Sequence, residues 1–275
     1  MKKLLFSLFI ILQASLLLAQ SGNVTKVYPT HWWAGMKNSN LQLMVHGTNI
    51  AENTFTINYP GVKLVKTNKV ENKNYVFLDL IIAPTAKPGT VKIVTKNGSR
   101  SGTINYTLKQ KQAGAGTAYA QGVTSADLVY LLMPDRFANG DVSNDAFADM
   151  RDTAKSRTNM FNRHGGDLQG VIKNLDYMKD LGVTALWMTP VVENDMSRTQ
   201  EGGVSRSTYH GYAFTNQYQV DKRLGGNEIY KQLSKELHKR GMKLIQDAVY
   251  NHVGQDHFFI RDMPMKDWVN QWPQY

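Results

Sequence analysis

The chain has 275 residues, 42% of them apolar and 20% charged, with a net charge of +10. These are the proportions of a globular protein with room for one large domain or two ordinary ones, and they exclude a wholly disordered chain. It contains no cysteine, which excludes disulfides, thiolate metal sites and a lipid-modified cysteine. The lysines and arginines are dispersed, and no helix carries a continuous basic face interleaved with aromatics, so the charge reads as a solvated surface with no nucleic-acid partner.

Lys2 and Lys3 precede an apolar run from Leu4 to Leu12, then Gln13 and a second run from Ala14 to Ala19. A basic start, a short apolar core and a small residue near a cut at Ala19 or Gln20 predict a signal peptide over residues 1–20 and an exported, periplasmic or secreted protein. The run is too short and interrupted for a comfortable membrane span.

From Val24 to about Leu108 the pattern is strand-like. Leu41–Val45, Thr54–Ile57, Tyr75–Ile82 and Val91–Thr95 are rich in β-branched and aromatic residues, and turn signals at Gly47-Thr48-Asn49, Tyr59-Pro60-Gly61, Lys87-Pro88-Gly89 and Lys96-Asn97-Gly98-Ser99 separate them. Short strands with such punctuation predict a small β-sandwich over 21–108. The Gly/Ala-rich stretch 109–126 reads as a linker.

The pattern changes at Asp127. Leu128–Met133 is an apolar strand that ends at Pro134. Leu168, Ile172, Leu175 and Met178 share one helical face, with Asp167 as N-cap and Gly182 past the end. Val183–Met188 is the next strand. A helix near 227–240 turns Ile229, Leu233 and Leu237 inward and stops at Gly241, and Met242–Ile245 begins a third strand. Helix, glycine, strand, repeated in that order, predicts βα units around a parallel sheet over 127–275. A (β/α)8 barrel needs eight strands and about 250 residues, so three strands are expected to be less than half of one.

In such a sheet, function gathers on the loops after the strands' C-terminal ends. The first loop carries Asn139, Asp141, Asn144 and Asp145 around Gly140. Hard cations take six to eight oxygens on adaptable backbone, so this is a candidate half-site, although an Asx-rich turn without an ion explains the spacing equally. Gly165-Gly166-Asp167 either completes such a shell or caps a helix. The second loop, Val191 to about Gly226, is long enough to suggest function, and holds Tyr209-His210-Gly211-Tyr212, rings and polar groups suited to a sugar. Core packing competes with that reading. The third loop opens with Asp247-Ala248-Val249-Tyr250-Asn251-His252, an acid, an amide and an imidazole at a strand end.

The order of these motifs resembles the α-amylase superfamily, glycoside hydrolase family 13, and within it the neopullulanase and cyclomaltodextrinase group. "DAVYNH" resembles the first signature block, and "YHGY" followed by "YQVDKRLGG" the segment before it. "MPDRFANGD" with "HGGDLQGVIKNLDYMKDLGVTALWMTP" resembles the opening βα units. The β-domain, with "HWWAGM" near its start, resembles the group's accessory domain. The resemblance implies an immunoglobulin-like sandwich followed by a (β/α)8 barrel, truncated after strand 3. It also implies a retaining hydrolase of α-1,4-linked glucans, pullulan or cyclodextrins. Tyr212 would be the stacking platform for the sugar, with His210 beside it. His252 would bond a hydroxyl and support the transition state, and Asp247 would pair with an arginine further along. Asn139, Asp141, Asn144, Asp145, the Gly165 carbonyl and Asp167 would hold Ca2+. The nucleophilic aspartate and the acid/base glutamate are expected beyond residue 275, and a homodimer is an expected assembly of the full-length enzyme.

Two other readings are open at this point. One is a glucan-binding protein without catalysis, using Tyr28, Trp32 and Trp33, although core packing suits at least one of the tryptophans. The other is a transglycosylating or isomerising relative of the same fold.

Overall fold

The computed structural model describes residues 24–113 and 122–271. The expected signal segment, the middle of the expected linker and the last four residues lie outside them. The described residues form two compact units, 24–113 with 264–271, and 122–263.

The first unit is built from two four-stranded sheets. One has the order β1 (Val24–Tyr28), β3 (Asn40–Gly47), β6 (Tyr75–Ile82), β5 (Val62–Lys69); the other has β2 (His31–Trp33), β8 (Arg100–Lys109), β7 (Gly89–Asn97), β4 (Thr54–Ile57). Period-two alternation turns Val91 and Ile93 of β7, and Ile104, Tyr106 and Leu108 of β8, inward against Leu43, Val45, Leu78 and Leu80. The edge strand β5 is harder to read in sequence because its solvent side is polar, with Lys63, Lys66 and Lys69. Trp32 packs against this core and Trp33 tilts over it at 5.8 Å, which takes Trp32 away from any open sugar patch. Residues 264–271 pack with this unit. The Pro264 carbonyl accepts from the Asn72 amide at 3.1 Å, and Trp268 lies 6.0 Å from the Phe77 ring.

The second unit is organised by a parallel sheet of β9 (Val129–Leu132), β10 (Ala185–Met188) and β15 (Lys243–Gln246), with β10 central. Between β9 and β10 come the short helices α1 (Pro134–Phe137), α2 (Leu168–Lys173) and α3 (Leu175–Asp180). The expected single helix is broken at Asn174, whose φ of −111° and ψ of 12° leave the helical region while its side chain donates to the Gly170 carbonyl at 2.8 Å. A side-chain amide that bonds the backbone competes with helix continuation. Asp167 is the N-cap, as expected.

Between β10 and β15 stand two small antiparallel ribbons and a long helix. β11 (Val192–Glu193) pairs with β14 (Asn216–Val220), and β12 (Thr199–Glu201) with β13 (Val204–Arg206); α4 (Gly226–Lys239) follows. The turn α5 (Phe258–Arg261) comes after β15. One face of the sheet, with Leu132, Leu186 and Met188, is buried against Leu168, Leu175, Met178, Leu233 and Leu237. The opposite face carries Val129, Leu131 and Trp187, all exposed. No helix among the described residues is long and apolar enough to cross a membrane.

Candidate active site

The strands of the parallel sheet end together, and the polar residues expected at their C-terminal ends meet there. Asp247 is one residue past β15. Its Oδ2 accepts the Tyr212 hydroxyl at 3.0 Å. The Tyr212 main chain is held on both sides: its N–H donates to His210 Nδ1 at 3.0 Å, and its carbonyl accepts from His252 Nε2 at 2.9 Å. The His210 and Tyr212 rings stack with centroids 5.8 Å apart and planes 25° from parallel. Tyr212 is thus fixed by four contacts, yet remains 37% exposed.

Gly211 makes this arrangement possible. Its φ is +87°, and a Cβ there would strike the Pro190 carbonyl oxygen, so only glycine brings the tyrosine loop this close to the end of β10.

Protonation follows from the same contacts. His210 Nδ1 accepts a hydrogen bond, so the ring is neutral with its proton on Nε2. Burial, aided by the positive charge of Arg163, holds its pKa below the ordinary 6.5. Burial pushes the Tyr212 hydroxyl above its ordinary value, and the bond to Asp247 and its negative charge add to this. His252 spends Nε2–H on the Tyr212 carbonyl, and its Nδ1 accepts from the Asn251 side-chain amide at 3.3 Å.

The oxygen-rich loop after β9 forms a second cluster. Asp167 is fully buried and its carboxylate accepts four bonds, from the main-chain N–H of Gly140 (3.0 Å), Asp141 (2.9 Å) and Gly170 (2.6 Å) and from Asn144 Nδ2 (3.2 Å). Asn139 Nδ2 donates to Asp145 Oδ1 at 2.7 Å. Gly165, at φ +79°, sits so near that a Cβ would lie 2.7 Å from the same oxygen. Asn139 Oδ1 and Asn144 Oδ1 are buried with no hydrogen-bond partner. Two orphaned amide oxygens in one loop are costly unless something satisfies them, and a hard cation is chemically suited to do so. Asp141 is the outlier: it is exposed and its Oδ1 accepts from the Ser143 N–H and hydroxyl, bonds that hold its carboxyl below the usual range. Joining a cation would require it to turn from Ser143. No three carboxylate or imidazole side chains converge among the described residues, so amide and main-chain oxygens would dominate any such site.

Comparison with known families gives two matches. Residues 26–112 match the model of the cyclomaltodextrinase N-terminal domain, and residues 131–273 that of the alpha-amylase catalytic domain. The chain belongs to the alpha-amylase family. It is 37% identical over 164 residues to a cyclomaltodextrinase of Thermoanaerobacter pseudethanolicus, a match covering 56% of this chain and 26% of that protein. It is 36% identical over 139 residues to neopullulanase 2 of Thermoactinomyces vulgaris, covering 50% of this chain and 22% of the relative. Among solved structures, an Anoxybacillus alpha-amylase is 39% identical with a TM-score of 0.43, over 53% of this chain and 28% of that one. The chain therefore spans about a quarter of the length of the relatives it matches.

Two features of this alpha-amylase-family chain escaped the sequence reading. The first is Trp187, whose Nε1 donates to the same Asp247 Oδ2 at 3.2 Å. The second is a buried polar hub behind the tyrosine loop. Asp221 accepts from Arg223 Nε at 3.0 Å and Nη2 at 2.8 Å, and from the Asn194 amide at 3.0 Å. Burial opposes ionisation of Asp221, but the hydrogen bonds and charge of Arg223 outweigh it and hold the carboxyl below its ordinary range. Asn194 in turn exchanges bonds with Thr208, 2.7 Å to its carbonyl and 2.5 Å from its hydroxyl. The segment carrying Tyr209–Tyr212 is thereby anchored from below. The sequence signal that could find it is the Asp-x-Arg of "VDKRL", which carries no partner in the sequence itself.

Proposed function

We propose that this chain supplies the sugar-binding floor of an exported α-glucan hydrolase, acting on α-1,4-linked glucans, pullulan or cyclodextrins. The observation that carries the reading is Tyr212, half-exposed at the C-terminal ends of the parallel strands yet fixed through its hydroxyl, both main-chain groups and its ring. A sugar ring needs an apolar face to pack its C–H bonds and adjacent groups for its hydroxyls, and a rigid platform presents both without an ordering cost at each turnover. Tyr212 would stack on the sugar at the cleavage point. His252 would take one of its hydroxyls at Nδ1 in exchange for the Asn251 amide, and Asp247 would hold the tyrosine and pair with an arginine.

The reaction class we infer is retaining hydrolysis, in which one carboxylate attacks the anomeric carbon and a second carboxyl protonates the departing oxygen, then activates water. Neither carboxyl is assigned to a residue of this chain. Asn139, Asn144, Asp145, the Gly165 carbonyl and Asp167, with Asp141 if it turns inward, would hold Ca2+, which when bound would lock the loop after β9 to the start of α2.

The test uses the full-length enzyme with maltoheptaose. Tyr212→Ala is expected to lower kcat/KM by roughly 10-fold or more, the effect of losing about 1.4 kcal/mol of binding, while residues 1–275 alone release no reducing sugar. Unchanged kcat/KM in Tyr212→Ala, or hydrolysis by the 275-residue chain, would overturn the reading.

A further inference from the structure

We propose that Trp187 is a positioning residue of this platform, acting on Tyr212 through Asp247. The inference rests on the glucan-floor reading above and adds a residue to it.

Sheet geometry brings the group into place. Trp187 pairs with Ile245 across the parallel ladder. Side chains repeat with a period of two, so Asp247 stands on the same face as Ile245, two residues further on. That places Asp247 diagonally across from Trp187, within reach of a long aromatic side chain. The indole spans that gap and its N–H ends 3.2 Å from Asp247 Oδ2. The Tyr212 hydroxyl reaches the same oxygen at 3.0 Å from the other side.

Two donors on one oxygen fix the plane of the carboxylate. Oδ1 is left with no hydrogen bond among the described residues, open to a further donor. Without the indole, Asp247 would hang on the tyrosine hydroxyl alone and its carboxylate could rotate away from it. The competing explanation is that Trp187 only fills apolar space. Its neighbour in the same row, Leu131, has no polar tip and is 55% exposed. Trp187 is 37% exposed and carries a donor aimed at an acidic oxygen, a charge-assisted bond of the stronger kind. Trp187→Phe deletes the N–H together with the five-membered ring, so the indole resonance, which reports the bond directly, is what separates the two explanations.

The experiment combines a spectroscopic and a kinetic readout on the full-length enzyme. The indole 1H–15N resonance of Trp187, assigned by its disappearance in Trp187→Phe, is expected to move in both Asp247→Asn and Tyr212→Phe. Trp187→Phe is expected to lower kcat/KM on maltoheptaose by about 10-fold, the scale of a lost hydrogen bond to a charged group. Combined with Tyr212→Phe, the losses should be less than multiplicative, since both act on one carboxylate. An indole resonance indifferent to Asp247→Asn, or fully multiplicative losses, would overturn the proposal. If the enzyme does not act on maltoheptaose, the glucan reading fails, and the resonance still decides whether the indole holds Asp247.

Discussion

Tyr212 is held by a neutral histidine. A protonated His210 would present N–H to the N–H of Tyr212 and lose that bond. Because burial depresses the His210 pKa below 6.5, the unfolded chain takes up this proton at a higher pH than the folded one. The bond's contribution to stability is therefore present above about pH 6.5 and is lost as pH falls through the lower, folded value. An NMR titration of the His210 ring should give a midpoint below 6.5, with the Tyr212 amide shifting at the same pH. A midpoint at or above 6.5 would show that the ring is not desolvated as the packing requires. His210→Asn, which keeps a side-chain acceptor, should remove the pH dependence of the Tyr212 shift.

At the scale of elements, the loop from Asn139 to Asp145 and the start of α2 act as one piece. Asp167 caps α2 with one oxygen and gathers Gly140, Asp141 and Asn144 with the rest of its carboxylate. Since Asp167 already has structural work, Asp145 is the better probe of cation binding. Calcium at about 100 times its Kd should stabilise the full-length enzyme by about 2.7 kcal/mol, roughly 5–10 °C in Tm for a domain of this size. Asp145→Ala should abolish that calcium-dependent rise, and a full rise in the variant would reject the site. The composition of this loop was legible in sequence because four Asx residues close together are unusual; the orientation of Asp141 was not, because it depends on a local bond to Ser143. The same division holds elsewhere. The buried strands β6 and β10 and the amphipathic α4 were legible from periodicity, since one dominant face decides them. The break at Asn174 depends on a single side-chain bond, which periodicity does not register. Likewise Asp247 and His252 were legible as polar residues at a strand end, and His210 and Tyr212 as sugar-suited rings on a long loop whose role rested on the family resemblance, while Trp187 lies within an apolar strand. Its function lies in one nitrogen that composition counts as hydrophobic.

At the scale of the molecule, each unit has a core of its own. In the first unit Leu43, Leu78, Ile93 and Leu108 are fully buried, and in the second Leu168, Leu175, Leu186 and Leu233. The effects of core truncation should follow that division. Leu→Ala at a packed site costs about 3–5 kcal/mol, from lost burial and the cavity left behind. Leu78→Ala should therefore raise amide exchange along β3 and β6, whose register runs from Asn40↔Ile81 to His46↔Tyr75, and leave β10 protected. Leu186→Ala should do the reverse, because Leu186 lies between Tyr130 and Leu244 in the parallel ladder and packs beneath α2 and α4. Hydrogen exchange followed by mass spectrometry resolves the two peptides in one experiment. Exchange that rises equally in β6 and β10 for either substitution would mean that the chain opens as a single cooperative body, and the division into two cores would then carry no energetic meaning.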